Sequence, residues 1–546
     1  MKRPAAPAVS KIWKKLVVKR PSCMKKPATA ARGSGRSTQL ARAHQAIPPR
    51  PCLEGAPPGP HTRRGVLQSF EDNIKILPKA DLQSIMQKLG YGIHLVTDYS
   101  GTGQPEAVLQ RARSLAAELG VVAKVDCARA SDIAAHCRQV LLAIDCPDMC
   151  VLGDLVARQS AKFQKRLAAT TDAARCKIQE AMSKCDPDRR CTLAERARED
   201  WLHKVRALIV SSPCSTEQKA YCYRHQTECP VVPSPDVTDG KTPLRFVVAG
   251  ISCLDWSSRG LQKKTLGKGA EAWACLLKEI FDGEPDTVVL ECTRGYRHED
   301  LELVLGSKYT LCQLVFSPTE VGIPSERFRK YMVMMKIGGM LKWKPGAEIS
   351  EANFLKTFGR RLAVSGHVYM HSTPDKLIQS ELDRWASRRN LPSRDADDKA
   401  FSFKSLLTTS RLAILEEWEE HATARGHGPQ DEVMYDIAHH PQWGNLTAAA
   451  PAITRKNIPW SRQLSRPMLV EEKLEAQGFP VMHPEATLGL ECPWGSALRN
   501  MSPSKLSSLA GNAMHFAAIG FVLAYVWAYT DMNSTSDSDS SSSVCD

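Results

Sequence analysis

Short apolar runs that end in polar or glycine-containing turns recur through the middle of the chain, each followed by a helical pattern. Ile93–Thr97 runs into a Gly-rich turn, Val121–Val125 ends at Asp126, and Met149–Leu152 ends at Gly153-Asp154. Phe246–Ile251 ends at Ser252-Cys253, and Thr287–Leu290 ends at Glu291-Cys292. Strand, turn, helix, strand is the order that builds a mostly parallel sheet covered by helices on both faces. It predicts a doubly wound, Rossmann-like α/β domain.

Two blocks break the alternation. Residues 156–243 begin with a charged helical stretch, Lys162 to Arg206, and end in a Cys- and Pro-rich loop. Residues 340–460 are irregular and charged, with Trp343, Trp385, Trp418, Trp443 and Trp460 and few strand signals. The resulting plan is a basic arm (1–67) and an α/β domain (68–339) that carries the 156–243 insertion. A separate region (340–460) and a C-terminal stretch that completes the domain (461–530) follow. The tail (531–546) is rich in Ser and Asp, and its composition predicts disorder, with sites for phosphorylation. The longest apolar stretch, Phe516–Tyr529, is shorter than the about 20 residues a membrane span needs, so no membrane association is expected. The N-terminus lacks the apolar region of a secretory signal.

Charge divides the chain unevenly. Residues 1–65 hold 15 Lys and Arg against the single acid Glu54, and this arm carries the whole formal excess of +14. The body is neutral. A neutral body with a basic leash suggests phosphate contacts or a nuclear address, through Lys14-Lys15, Lys19-Arg20 and Lys25-Lys26. Nuclear localisation is the expectation. An organelle is the alternative, because the arm is also nearly acid-free. The 18 cysteines are scattered without a short-repeat framework, which fits a reducing compartment.

Candidate chemistry sits at the strand ends. Asp98-Tyr99-Ser100-Gly101-Thr102-Gly103 follows the first strand, where glycines let a ligand approach the backbone and the next helix offers its N-terminus. Taken singly, Asp126 and Asp154 read as solvated turn residues. In series with the Gly-rich turn they suggest an adenosyl ligand, with Asp126 placed to grip a ribose diol and Asp154 to accept from an adenine amine. Cys253 follows a buried strand and would share the same crevice, where a favoured thiolate is a nucleophile. Glu291 ends the next strand as a possible proton donor. Arg327 and Arg329 alternate with Phe328 in Gly322-Ile323-Pro324-Ser325-Glu326-Arg327-Phe328-Arg329, so both would face one side of an extended segment and hold a carbonyl or phosphate oxygen.

In this order the elements resemble the DNA (cytosine-5) methyltransferase family. Two C-terminal blocks add to the resemblance: Arg466-Pro467-Met468-Leu469 through Gln477-Gly478-Phe479-Pro480, and Gly511-Asn512-Ala513-Met514-His515 with the apolar helix behind it. The resemblance runs from residue 92 to 529. It implies a Rossmann-like methyltransferase fold with S-adenosylmethionine as cofactor and DNA as partner. The target base would be flipped into the crevice. Cys253 would attack its ring, Glu291 would protonate the ring nitrogen, and Arg327 and Arg329 would hold the base carbonyl. Tyr99, Gly101, Gly103, Asp126, Asp154 and Asn512 would line the cofactor site, and residues 340–460 would recognise the target. The chain departs from the family at Ser252, Leu254, Cys292 and Ser325, where proline, glutamine, asparagine and glutamine are usual. A catalytically weakened nucleic-acid-binding relative and a tRNA cytosine-5 methyltransferase are therefore the alternatives.

Pro51-Cys52 imitates the nucleophile motif but follows no strand. No metal is assigned. Cys214, Cys222, His225 and Cys229 are four ligands of zinc-binding type, but at a loose spacing that reads first as free thiols in an insertion loop.

Overall fold

The computed structural model describes residues 53–184, 187–235, 237, 240–252, 256, 266–390, 402–482 and 494–533. The basic arm up to residue 52, the Pro51-Cys52 pair and the tail beyond residue 533 lie outside the described residues, and so does Cys253. In chain order the strands are β1 (Ile93–Asp98), β2 (Val125–Ser131), β3 (Cys150–Leu152), β4 (Lys219–Cys222), β5 (Thr227–Pro230), β6 (Leu244–Gly250) and β7 (Thr287–Thr293). They continue with β8 (Tyr309–Phe316), β9 (Arg329–Lys336), β10 (Leu341–Trp343), β11 (Met434–Asp436), β12 (Pro459–Ser461), β13 (Arg466–Pro467) and β14 (Thr530–Met532).

Seven of these strands form the central sheet, in the order β3-β2-β1-β6-β7-β9-β8. The pairs from β3 to β7 are parallel, and β9 runs antiparallel to both β7 and β8. This is the Rossmann-like α/β sheet expected from the sequence. The chain leaves β1 toward one edge and re-enters at β6 toward the other, so β1 and β6 flank the point where strand order reverses. Ligands of such sheets bind outside the carboxyl ends of those strands.

One strand differs from expectation. The apolar run Val121–Val125 is mainly a connection, with Val122 84% exposed, and β2 begins where that run ends. The strand itself carries Asp126 and Arg129, so it does not read as apolar. Arg129 is nonetheless buried, held by Asp98 and Glu279. Ion pairing stands in for hydrophobicity there, and a pattern of apolar residues cannot register it.

Strand alternation builds two cores. On one face Leu95, Cys127, Phe246, Val248, Val289 and Val333 pack under helices Ser69–Lys75, Lys79–Tyr91, Gln104–Glu118 and Phe516–Tyr529. The last of these is buried along its whole circumference from Phe516 to Ala528. That explains why it shows no polar face: it is a core helix, hemmed in by the other three. On the other face Val247, Ala249, Val288, Leu290, Met332 and Met334 pack under helices Ala270–Gly283 and Glu299–Leu305. The insertion adds a helical hairpin here, Ala161–Lys184 and Pro187–Ser211. Trp201 anchors it, its ring 5.9 Å from that of Trp273 and its indole N–H donating to Thr171 Oγ1.

A second lobe has its own core of Phe403, Leu415, Trp418, Tyr435 and Trp460, with Trp418 stacked on Tyr435 at 5.1 Å. It is narrower than the 340–460 expected. β10 pairs with β14 at the end of the α/β domain, and helix Glu351–Phe358 buries Phe354 and Phe358 in the first core. The lobe's own helices begin at Asp375.

Candidate active site

Tyr99, Gly101 and Gly103 turn the chain out of β1 with φ of 51°, 58° and 74°. Glycine takes such angles freely, whereas a tyrosine there is held at a cost of about 1 kcal/mol or more. The turn is braced from several sides. Gly103 N–H donates to Ser100 O, Ser100 N–H donates to Ser131 O, and the Thr97 and Ser100 hydroxyls lie 2.6 Å apart. Helix Gln104–Glu118 starts directly at Gly103.

The acid beside this turn is Asp132, not Asp126. Asp126 sits at the start of β2, in register with His94 near the start of β1, and its Oδ2 lies 2.9 Å from His94 Nδ1. Ser131, which ends β2, is five residues on, roughly 17 Å along the strand. A side chain cannot span that distance, so Asp126 is excluded from the crevice. Asp132 follows Ser131 directly, accepting from Gly101 N–H at 3.1 Å through Oδ2 and from Ala134 N–H at 2.7 Å through Oδ1. Desolvation raises its pKa. Only the false strand end at Val125 kept it out of the sequence-based set.

Asp154 does sit just past the end of β3, half-buried, with Oδ1 accepting from Val156 N–H. Asn512 closes the other side: a methyl group added to Gly101 would lie 3.7 Å from Asn512 O. Gly250, the last residue of β6, is equally close to the turn, since a methyl group there would lie 3.5 Å from Tyr99 O and 3.2 Å from Met514 Cε. Tyr99, Gly101, Gly103, Asp132, Asp154 and Asn512 thus border one crevice at the carboxyl edge. An acid at the end of each of two neighbouring strands and a turn with bare backbone suit an adenosyl group, with Asp132 replacing Asp126.

Asp98 is withheld from that crevice. It is buried and accepts from Arg129, Arg158 and Ser131, while Glu279 pairs with the same two arginines. Two buried acids against two buried guanidiniums neutralise one another, and removing one member would leave an uncompensated buried charge.

The neighbouring strands bring the remaining groups to the same edge. Ile251 N–H donates to Glu291 O, so the chain leaving β6 toward Cys253 runs alongside Glu291. Three residues after Cys253 in the chain, Trp256 packs edge-on against Tyr296 at 4.8 Å, and Tyr296 accepts from the Trp273 indole. Because β9 is antiparallel, its first residue falls where the parallel strands end. Arg329 therefore lies diagonally across from Glu291, its Nε 2.8 Å from Glu291 Oε1. Both are largely shielded, at 14% and 8% side-chain exposure.

Arg327 does not join them. It precedes the strand, and its buried guanidinium donates to Ile453 O at 3.0 Å and to Ala513 O at 2.5 Å. It clamps the Gly-Ile-Pro segment to the C-terminal block instead of facing the crevice.

The thiol set is also rearranged. Cys222, His225 and Cys229 come together at the β4–β5 hairpin, but Cys214 lies apart, 3.0 Å from Thr216 Oγ1. Its place is taken by Cys150 of β3.

No family model matches the sequence, and no curated protein matches it. Solved structures similar in fold include the Dnmt2 methyltransferase of S. pombe, at 12% identity over 79% of this chain and 97% of that one, with a TM-score of 0.34. The Entamoeba histolytica methyltransferase EhMeth follows at 10% identity, 80% and 98% coverage and TM-score 0.37. A Spodoptera frugiperda DNMT2 mutant stands at 12%, 80% and 100%, with TM-score 0.36. The chain is thus a Rossmann-like α/β protein whose solved neighbours are methyltransferases and whose motif order resembles that of the DNA (cytosine-5) methyltransferases.

Proposed function

We propose that the chain is an S-adenosylmethionine-dependent methyltransferase that acts on carbon 5 of cytosine in DNA. The observation that carries this reading is the Glu291–Arg329 pair at the carboxyl edge of the sheet, next to the end of β6 that leads into Cys253. An acid and a fixed cation at one switch point, with a cysteine three residues past the end of β6 in the chain, supply the groups that covalent attack on a pyrimidine ring requires.

In this reading the Cys253 thiolate adds to the ring carbon beside the methylation site. The electron pair moves into the ring, and Glu291 relays a proton to the ring nitrogen. Arg329 holds the base carbonyl and keeps Glu291 in place. Tyr99, Gly101, Asp132 and Asp154 would hold S-adenosylmethionine, which would supply the methyl group. A base then takes the proton from the methylated carbon, the ring-nitrogen proton returns to Glu291, and the C–S bond breaks to release the thiolate and restore the ring. In this reading the second lobe recognises the target. The basic arm adds sequence-independent phosphate attraction and suits nuclear import.

The test is a trapping assay with S-adenosylmethionine and duplex DNA containing 5-fluorocytosine, which blocks the final proton removal. A denaturation-resistant adduct is expected with the wild type and not with Cys253→Ala. Absence of adduct on DNA, with adduct on 5-fluorocytosine RNA, would move the substrate to RNA. Absence on both, in protein that binds S-adenosylmethionine, would overturn the activity.

A further inference from the structure

We propose that Cys150, Cys222, His225 and Cys229 form a structural zinc site that staples the β4–β5 hairpin to the edge strand of the central sheet. The inference does not depend on the proposed activity.

The geometry is that of a tetrahedral site. His225 Nδ1 lies 3.6 Å from Cys150 Sγ, 3.6 Å from Cys222 Sγ and 3.3 Å from Cys229 Sγ. All four ligand atoms fall within 4.8 Å of one another. Zinc bonds of about 2.3 Å to sulfur and 2.0–2.1 Å to nitrogen place tetrahedral ligands about 3.5–3.8 Å apart. The three nitrogen–sulfur separations lie close to that figure, and every pair of ligand atoms is within 4.8 Å. With four protein ligands the coordination is closed, which is the structural and not the catalytic arrangement.

The surroundings support the same assignment. His225 Nε2 is 3.2 Å from Pro147 O, so the outer ring nitrogen has a backbone acceptor and Nδ1 is left to bind metal. Metal-bound histidines are oriented in this way. Val151 N–H and His225 N–H both donate to Cys222 Sγ, at 3.3 and 3.5 Å. Packing of thiols as small apolar groups does not account for the cluster. His225 is exposed, and no apolar contact requires its Nδ1 to face three sulfurs at once.

The fold also needs such a link. A two-stranded hairpin is marginal alone. The only apolar cluster beneath this one, among the described residues, is Cys150, Leu152, Cys222 and Cys229 with Ala220 beside it. Three of its five members are the proposed ligands. Tyr223, next to Cys222, lies over Gly153, within 3.3 Å of where a methyl group would stand. The staple would therefore hold the cover over the β3 end that presents Asp154.

The test is metal analysis of the full-length chain purified without chelator, followed by cobalt substitution after stripping. One zinc per chain is expected, with the cobalt form showing thiolate charge transfer and the intense visible bands of a tetrahedral site. His225→Ala and Cys229→Ser should lose the metal, whereas His225→Cys and Cys214→Ser should keep it. Because His225 is exposed, His225→Ala reads the site even if a cysteine variant fails to fold. The proposal is overturned by zinc well below one per chain together with a pale, octahedral cobalt spectrum. It is overturned equally by a Cys222–Cys229 disulfide in metal-free protein, or by Cys214→Ser losing metal as His225→Ala does.

Discussion

Asp132 Oδ2 accepts a hydrogen bond from Gly101 N–H, so the acid that closes β2 also shapes the turn that closes β1. One carboxylate thereby fixes the backbone against which an adenosyl group would lie. Hydrogen bonds to a charged partner contribute about 1.5–3 kcal/mol. Asp132→Ala should weaken binding of S-adenosylhomocysteine by about tenfold or more in calorimetric titration. Asp126→Ala, at the other end of the strand, should change it less than about twofold. Equal losses from both variants would remove Asp132 from the site.

The two arginines of the Gly-Ile-Pro segment should separate cleanly. Arg329→Ala removes the partner of Glu291 in the crevice and should lower methyl transfer by about a hundredfold or more, with a melting temperature close to wild type. Arg327→Ala leaves the carbonyls of Ile453 and Ala513 without their buried donor. Each orphaned group costs about 1–3 kcal/mol, so that variant should melt several degrees lower. Thermal unfolding alongside turnover checks both, and a purely structural loss in Arg329→Ala would contradict its placement.

Glu106 supplies a pH signature. It is fully buried beneath the Gly-rich turn, accepts from the Thr97 hydroxyl, and burial pushes its pKa up to about 7. The folded state then holds this proton more tightly than the unfolded chain does. Its stabilising contribution is complete below pH ~4.5 and is lost as pH rises through about 7. The difference is worth about 3 kcal/mol. Glu106→Gln keeps an acceptor for Thr97 without the charge. Chemical denaturation should show wild type falling away from the variant between pH 5 and pH 8, and parallel profiles would refute the shift.

Gly520 tests how tightly the C-terminal helix is packed. A methyl group there would stand 2.6 Å from Cδ2 of the buried Phe70. Alanine is the better helix former by about 1 kcal/mol, yet overpacking costs about 1–3 kcal/mol. Gly520→Ala should therefore destabilise the protein despite its propensity, and pairing it with Phe70→Ala should cost less than the sum of the two. A stabilised Gly520→Ala would show that the helices can move apart.

Much of this arrangement was legible in the sequence, and the exceptions have physical causes. The strands built on an apolar run, β1, β6 and β7, were found, and so was Glu291 near the end of β7. β2 was displaced because Arg129 buries a charge that only Asp98 and Glu279 make tolerable, and neither is near it in sequence. That displacement alone put Asp126 forward in place of Asp132. Arg327 was expected beside Arg329 because alternate residues of a strand share a face. The strand, however, begins only at Arg329, so the rule does not reach back to residue 327. Cys150 could not be grouped with the hairpin thiols by spacing, since the sheet and not the local chain brings it there.

The burial of helix Phe516–Tyr529 has a consequence for how the chain is made. Ser84 Oγ donates to Trp527 O and the Tyr529 hydroxyl donates to Asp81, across 443 and 448 residues of sequence. A ribosome must therefore synthesise the chain as far as residue 529 before one face of the sheet can be covered. The second lobe, with a core of its own, is finished earlier and is free to fold first. Until residue 529 emerges, the apolar side of helix Gln104–Glu118 stays bare to solvent or to a chaperone. Contacts this distant in sequence make closure slow, so this face of the sheet is completed only after residue 529 has been made.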